Sequence, residues 1–125
     1  MSKILAVTKK ATGLTGLEVA KNPVHTLNIL YSKILRALDK VPKEAAYRKY
    51  TEQVVSSRLA IVNAAQSVEE IEERVNCGQV EELIIQAENE LSLTRNMTTW
   101  RPWETSKTDI PSNQWIWPPA KLPKL

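Results

Sequence analysis

Phenylalanine is absent from this chain of 125 residues, and cysteine, histidine and glycine are scarce, at one, one and three. Each shortage excludes something. A single thiol, Cys77, cannot close an intrachain disulfide, which fits a reducing compartment or no redox demand. One imidazole, His25, with that one thiol falls short of the several nitrogen or sulfur ligands that metal sites want. There is no Gly-rich phosphate loop. No apolar run approaches the roughly 18 residues of a spanning helix. A carboxylate pair such as Glu69 and Glu73 reads as solvated surface rather than a cation site. His25 has no obvious partner, so no acid–base or nucleophilic constellation forms. The chain reads as a non-enzyme, with no cofactor, no metal, no small-molecule substrate and no membrane span.

What remains is an ordinary share of hydrophobic residues, 42%, enough for one modest core. The net charge of +3 hides an asymmetry. Residues 67–99 hold eight carboxylates against two arginines, a net −6, while the remainder holds 15 bases against six acids, a net +9. The acidic stretch opposes a nucleic-acid partner, because such binders present cationic surface to phosphate.

Residues 1–22 show no clear period and read as an extended N-terminal arm. Lys3, Lys9 and Lys10 precede the first acid, Glu18, a pattern compatible with mitochondrial targeting. The segment has no Arg and no strong amphipathic face, so cleavage is not expected. Gly13-Leu14-Thr15-Gly16 has the spacing of a backbone-clamping RNA loop. Two glycines in a flexible arm explain it better, since no strands surround it.

Residues 23–99 read as a helical bundle. Asn22 followed by Pro23 predicts an N-cap and a first helical position. Val24, Leu27, Tyr31, Ile34 and Leu38 step by three and four, an amphipathic helix. Val41-Pro42 predicts a short turn, with Pro42 opening a second helix antiparallel to the first. Tyr47 and Tyr50 lie three apart and continue through Val54 and Ile61, widened by Val55, Leu59 and Val62. That stripe places both tyrosines at the aromatic centre of the core. Ser67-Val68-Glu69-Glu70 is a capping box for a short third helix bearing Val68, Ile71 and Val75. Gly78 suits a left-handed cap after Cys77. Val80, Leu83, Ile84, Ala87 and Leu91 begin a last helix that runs to about Thr99. Its Glu81, Glu82, Glu88 and Glu90 fall off the apolar stripe, as a solvated face or an acidic docking surface. The expected fold is all-α: a small antiparallel three-helix bundle plus one short helix, flanked by extended ends.

Residues 100–125 form the third region, a Trp- and Pro-rich tail. Prolines at 102, 111, 118, 119 and 123 forbid a continuous helix. All four tryptophans lie here, at Trp100, Trp103, Trp115 and Trp117. Together they represent on the order of 600–1,000 Å² of surface, more than a soluble monomer leaves exposed as one patch. The tail either wraps back over the bundle or lies along another protein as an anchor. The candidate partner-binding residues are therefore these four tryptophans, with Tyr47 and Arg48 of the second helix. An alternative stays open: Tyr47-Arg48-Lys49-Tyr50 interleaves aromatics with bases, as a small basic RNA-binding or mitoribosome-associated protein does.

Several segments, in order, carry a resemblance. They are Thr12-Gly13-Leu14-Thr15-Gly16-Leu17, Ile29-Leu30-Tyr31-Ser32-Lys33-Ile34-Leu35, Ala45-Ala46-Tyr47-Arg48-Lys49-Tyr50-Thr51-Glu52-Gln53, Trp100-Arg101-Pro102-Trp103-Glu104 and Gln114-Trp115-Ile116-Trp117-Pro118. With them the chain resembles, over roughly residues 9–118, the accessory-subunit family of mitochondrial respiratory complex I called alpha-subcomplex subunit five. The resemblance implies a non-catalytic helical subunit on the matrix-side peripheral arm of NADH:ubiquinone oxidoreductase, near the quinone module. It implies no iron–sulfur cluster or flavin, a place at the matrix side of the mitochondrial inner membrane, and partners among the core and accessory subunits of that arm. No active-site residues carry over. The Leu-Tyr-Arg tripeptide of another adaptor family is absent: Tyr47-Arg48 follows Ala46, and Leu30-Tyr31 precedes Ser32.

Overall fold

The computed structural model describes residues 9–117. The start of the arm, residues 1–8 with Lys3, and the end of the tail, residues 118–125 with Pro118, Pro119 and Pro123, lie outside the described residues. Among the described residues there are four α-helices and no strand: α1 Pro23–Leu38, α2 Ala46–Ala64, α3 Val68–Val75 and α4 Val80–Trp100. The all-α expectation holds.

α1 is the element the others cover. Its periodic residues Val24, Leu27, Tyr31, Ile34 and Leu38 are all buried, each apolar side chain of this size contributing about 1.5–3 kcal/mol on leaving water. α1 packs along α4 on one flank and α2 on the other. Val80, Leu83, Ala87 and Leu91 of α4, with Ile71 of α3, complete the core. The short α3 connects the end of α2 to the start of α4. Side-chain contacts set the directions: Tyr47 near the start of α2 reaches Glu90 and Thr94 far along α4, whereas Arg58 further along α2 reaches Gln86 and Cys77 near α4's start. α2 therefore runs opposite to α4.

Several local expectations are corrected. Asn22 precedes Pro23 as read, but its side chain makes no capping bond; the exposed Thr26 hydroxyl instead donates to the Asn22 carbonyl at 3.0 Å. α2 begins at Ala46 rather than Pro42. Residues 42–45 close a turn, with the Ala45 amide donating to the Pro42 carbonyl at 3.1 Å, and Ala45 is extended and buried. Tyr50 and Val54 are 69% and 50% exposed, so they are not core. The buried residues of α2 are Val55 and Val62. One residue turns a helix by about 100°, and α2 is rotated by that much from the face that the tyrosines suggested.

The Ser67 hydroxyl accepts from the Glu70 amide at 3.2 Å, one half of a capping box. The other half is shifted, because the Glu70 carboxylate accepts from the Gln66 amide at 2.8 Å. Asn76, not Gly78, ends α3 in the left-handed region at φ 54°. Asn tolerates that region because its short polar side chain bonds locally. Gly78 follows at φ 95°, where the Glu82 carboxylate occupies the space that a Cβ would need. That carboxylate turns back to accept from the Gln79 amide at 2.7 Å and caps α4.

Candidate functional site

Polar groups converge in one place, where the N-terminal arm crosses the α3–α4 junction. Lys9 Nζ donates to Glu72 at 3.2 Å, to Gln79 Oε1 at 3.0 Å and to Glu81. Glu81 is only 3% exposed, and its other oxygen accepts from the Ala20 amide at 3.2 Å. Gln79 Nε2 donates to the Thr12 carbonyl at 2.7 Å, and Glu72 also accepts from the Val80 amide. Burial alone would lower the Lys9 pKa, but hydrogen bonds to Glu81 and Glu72 outweigh it and hold the ammonium above its ordinary value. Burial alone would raise the Glu81 carboxyl, but Lys9 and the backbone amides outweigh it and hold it below. Every group in this cluster is consumed by another, so the cluster fastens the arm. The arm is thus laid on the bundle from Lys9 onward, and Glu81 and Glu72 are fastenings rather than solvated surface. The sequence held no signal for a pairing between residues so far apart.

The Gly13–Gly16 spacing belongs to a turn of this arm. Both glycines have positive φ, and the Leu14 amide donates to the Thr12 hydroxyl at 3.2 Å.

Tyr47 and Arg48 diverge. The Tyr47 hydroxyl bonds Glu90 Oε1 at 2.7 Å and Thr94 Oγ1 at 2.9 Å. Arg48 Nη1 donates to the Val41 carbonyl at 2.7 Å, and its guanidinium lies 3.6 Å from Asp39 and 3.5 Å from Glu52. Arg48 therefore closes the α1–α2 connection. With Tyr47 turned to α4 and Tyr50 to solvent, the Tyr-Arg-Lys-Tyr run presents no paired stacking platform for bases.

The tail meets the other expectation differently. Trp100 is the last residue of α4 and is 63% exposed. Arg101 then turns left-handed at φ 53° and pairs with Glu104 at 2.7 Å. Trp103 is half-buried. Trp115 and Trp117 are 89% and 86% exposed, with Ile110 and Ile116 exposed beside them in sequence. Turns organise this end: the Gln114 amide donates to the Pro111 carbonyl, and the Ile116 amide to the Asn113 carbonyl. The structure does not bring Trp115 and Trp117 onto the bundle.

A groove of about 480 Å³ opens between α2 and α4, floored by Tyr31 and Ile34 of α1 and rimmed by Tyr50, Val54 and Leu93. The Tyr31 hydroxyl is buried there without a hydrogen-bond partner among the described residues. Burial pushes its pKa up, against the opposing pull of Arg58.

His25 and Cys77 are exposed and lie on different elements. Among the described residues, no group of three or more His, Cys, Asp or Glu side chains is placed to hold a metal ion. No helix among them is long and apolar enough to cross a membrane.

Residues 16–82 match the family model described as the ETC complex I subunit conserved region. The chain is 54% identical over 110 residues to NADH dehydrogenase [ubiquinone] 1 alpha subcomplex subunit 5 of Bos taurus, covering 88% of this chain and 95% of the relative. It is 48% identical over 110 residues to the probable subunit 5 of Caenorhabditis elegans, covering 88% of this chain and 73% of the relative. The probable mitochondrial subunit 5 of Arabidopsis thaliana is 43% identical over 100 residues, 80% of this chain and 59% of the relative.

Proposed function

We propose, from the premise that this chain belongs to the complex I alpha subcomplex subunit 5 family, that it works as a non-catalytic brace in NADH:ubiquinone oxidoreductase. The chain is an accessory subunit of mitochondrial respiratory complex I. Its seat is the matrix-side peripheral arm, near the quinone module, among core and accessory subunits of that arm. Its contribution is to hold neighbours together during assembly and afterwards. Trp100, Trp103, Trp115 and Trp117 make the contact, with Tyr47 and Arg48 fixing the two helix connections behind it.

One observation carries this reading: two indoles almost wholly in water at the end of a chain that has its own finished core. Together Trp115 and Trp117 offer roughly 300–500 Å² of mostly apolar surface. Trp is also a residue type that dominates binding energy where interfaces bury it. Support for a non-catalytic role comes from the Lys9–Glu72–Glu81 cluster, whose groups are spent on fastening the arm. The basic RNA-binding alternative is not favoured, since the aromatic–basic run on which it rested is divided between α4 and solvent.

Native electrophoresis of mitochondria, with immunodetection of this chain and an in-gel NADH dehydrogenase stain, tests the proposal. Co-migration with a peripheral-arm subassembly lacking the membrane arm is expected. Recovery only with membrane-arm fragments would remove the peripheral seat.

A further inference from the structure

Four cations meet carboxylates: Lys9 with Glu72 and Glu81, Arg48 with Asp39 and Glu52, Arg74 with Glu70 and Arg101 with Glu104. Four others gather in one place with no acid among them. Where the C-terminal halves of α1 and α4 lie side by side, Lys33 and Arg36 of α1, with Lys40 just beyond its end, face Arg95, Thr98 and Thr99 around a cleft of about 600 Å³. None of the four cations forms an ion pair among the described residues, and no carboxylate lines the cleft. α1 contains no Asp or Glu at all, and the last ten residues of α4 carry one charge, Arg95. Asp39, the nearest acid in sequence, sits on Arg48 instead. Soluble surfaces ordinarily intersperse the two signs, and four like charges about one cleft repel one another.

We infer that this cleft docks a carboxylate-bearing segment of a neighbouring subunit, and that the neighbour's acids supply the counter-charges this chain withholds. The inference rests on the proposal that the chain works inside complex I. Positions 33 and 36 fall on one side of α1, because a step of three residues returns to the same face. Lys40 follows in the turn just beyond the end of α1 and lines the same cleft. Separate cations set along the chain in this way suit several carboxylates of one segment better than one compact phosphate. Arg36 and Arg95 each present a planar fork that grips a carboxylate through two parallel N–H···O bonds. Immediately beyond Thr99 stands Trp100, exposed at the end of α4. The first of the tail's indoles thus follows the cleft's last lining residue in sequence, an exposed aromatic of the kind that interfaces bury.

Two measurements on mitochondria test this separately from the reading on which it rests. The first is native electrophoresis of the wild-type chain: failure to co-migrate with NADH dehydrogenase activity removes the reading itself. The second applies a zero-length carbodiimide cross-linker to the intact assembly, followed by peptide mass spectrometry. Lys33 or Lys40 is expected to join an Asp or Glu of a different polypeptide. The inference is overturned if the wild-type chain co-migrates but neither lysine cross-links and both remain open to acetylation, or if they join only a second copy of this chain. Protection of both lysines in the isolated chain by inorganic pyrophosphate, without any protein cross-link, overturns it in favour of a phosphate-bearing ligand. As a second arm, the Lys33→Glu/Arg36→Glu/Lys40→Glu chain is expected to reach the complex at about one-tenth of the wild-type level or less, since like charges set against each other across an interface cost several-fold to many-fold in affinity. Its helicity should be unchanged, because the three positions are exposed. Wild-type occupancy of this variant also overturns the inference.

Discussion

The Tyr47 hydroxyl lies 2.7 Å from a Glu90 carboxylate oxygen and 2.9 Å from the hydroxyl of Thr94, which is fully buried. This link joins the first turn of α2 to the second half of α4 without using apolar surface. The three groups form a chain, since Thr94 also donates to the Glu90 carbonyl at 2.9 Å. It tells the ring of Tyr47 which way to lean, and so helps to set the rotation of α2.

Removing that hydroxyl keeps the ring and breaks the link. Tyr47→Phe is expected to destabilise the chain by about 0.5–1.5 kcal/mol, the net value of an ordinary intramolecular hydrogen bond. Thr94 keeps its bond to the Glu90 carbonyl, so no orphaned buried group adds to the loss. Urea denaturation followed by circular dichroism measures it. A loss well above this range would mean that the ring itself is displaced.

The rotation of α2 can be checked by two neighbouring valines. Val55 is buried against the core and Val54 is half-exposed on the groove. Val55→Ala should cost roughly 1–3 kcal/mol through lost burial and an incompletely filled cavity. Val54→Ala should stay within about 0.5 kcal/mol in the isolated chain, like other surface changes. Equal effects from the two would contradict the observed face.

This pair also shows what sequence reasoning can reach. In α1 a single stripe was present, Val24 through Leu38, and all five residues are buried. In α2 the expected face was broad, through Tyr47, Tyr50, Val54 and Ile61 and widened by Val55, Leu59 and Val62. Only its widened side is core: Val55 and Val62 are buried and Tyr47 and Leu59 pack against that core, while Tyr50 and Val54 face out, because α1 offers only one flank and the tyrosine ring at 47 is drawn across to Glu90. The end of α3 shows a similar competition: Gly78 is the better left-handed residue by propensity, yet Asn76 takes the cap because Val75 is the last residue of that short helix. The Lys9–Glu81 pair was out of reach for another reason. Local patterns carry no record of a contact made across 72 residues of chain. The crowding of tryptophans into residues 100–117 was legible in the sequence, while the exposure of Trp115 and Trp117 required coordinates.

The fastening of the arm should depend on pH in a direction fixed by its two shifted groups. Glu81 is held below its ordinary carboxyl value in the folded chain. Its stabilisation is therefore full above the unfolded value of about 4.3 and is lost as pH falls through the lower folded one. Lys9 is held above its ordinary value. Its share is full below about 10.4 and is lost as pH rises through the higher folded value. Between those limits the arm stays down. Hydrogen exchange at the Ala20 amide, which donates to Glu81, should accelerate on acidification below the ordinary carboxyl range, beyond the change in intrinsic exchange. Glu81→Gln should produce the same release near neutral pH, with a stability loss of roughly 1–3 kcal/mol as Lys9 loses a buried partner. An Ala20 amide equally protected in that variant would show that the arm is held by other contacts.

The tail separates bracing from internal stapling. Trp115 and Trp117 stand almost wholly in water, so the double variant Trp115→Ala/Trp117→Ala removes nothing that the isolated chain uses. Its melting temperature is expected to match the wild type within about 1 °C, as for surface changes that shift stability by only tenths of a kcal/mol. Inside the complex the same indoles are expected to be covered. Truncating a buried interface tryptophan typically costs about 2 kcal/mol or more, on the order of thirtyfold in affinity. The expected result is therefore a chain that is intact when alone and depleted in the assembled enzyme, measured as the ratio of this subunit to a core subunit on native gels. Depletion accompanied by a lowered melting temperature would instead place the indoles within the chain's own stability, since only groups that the free fold buries can change its unfolding.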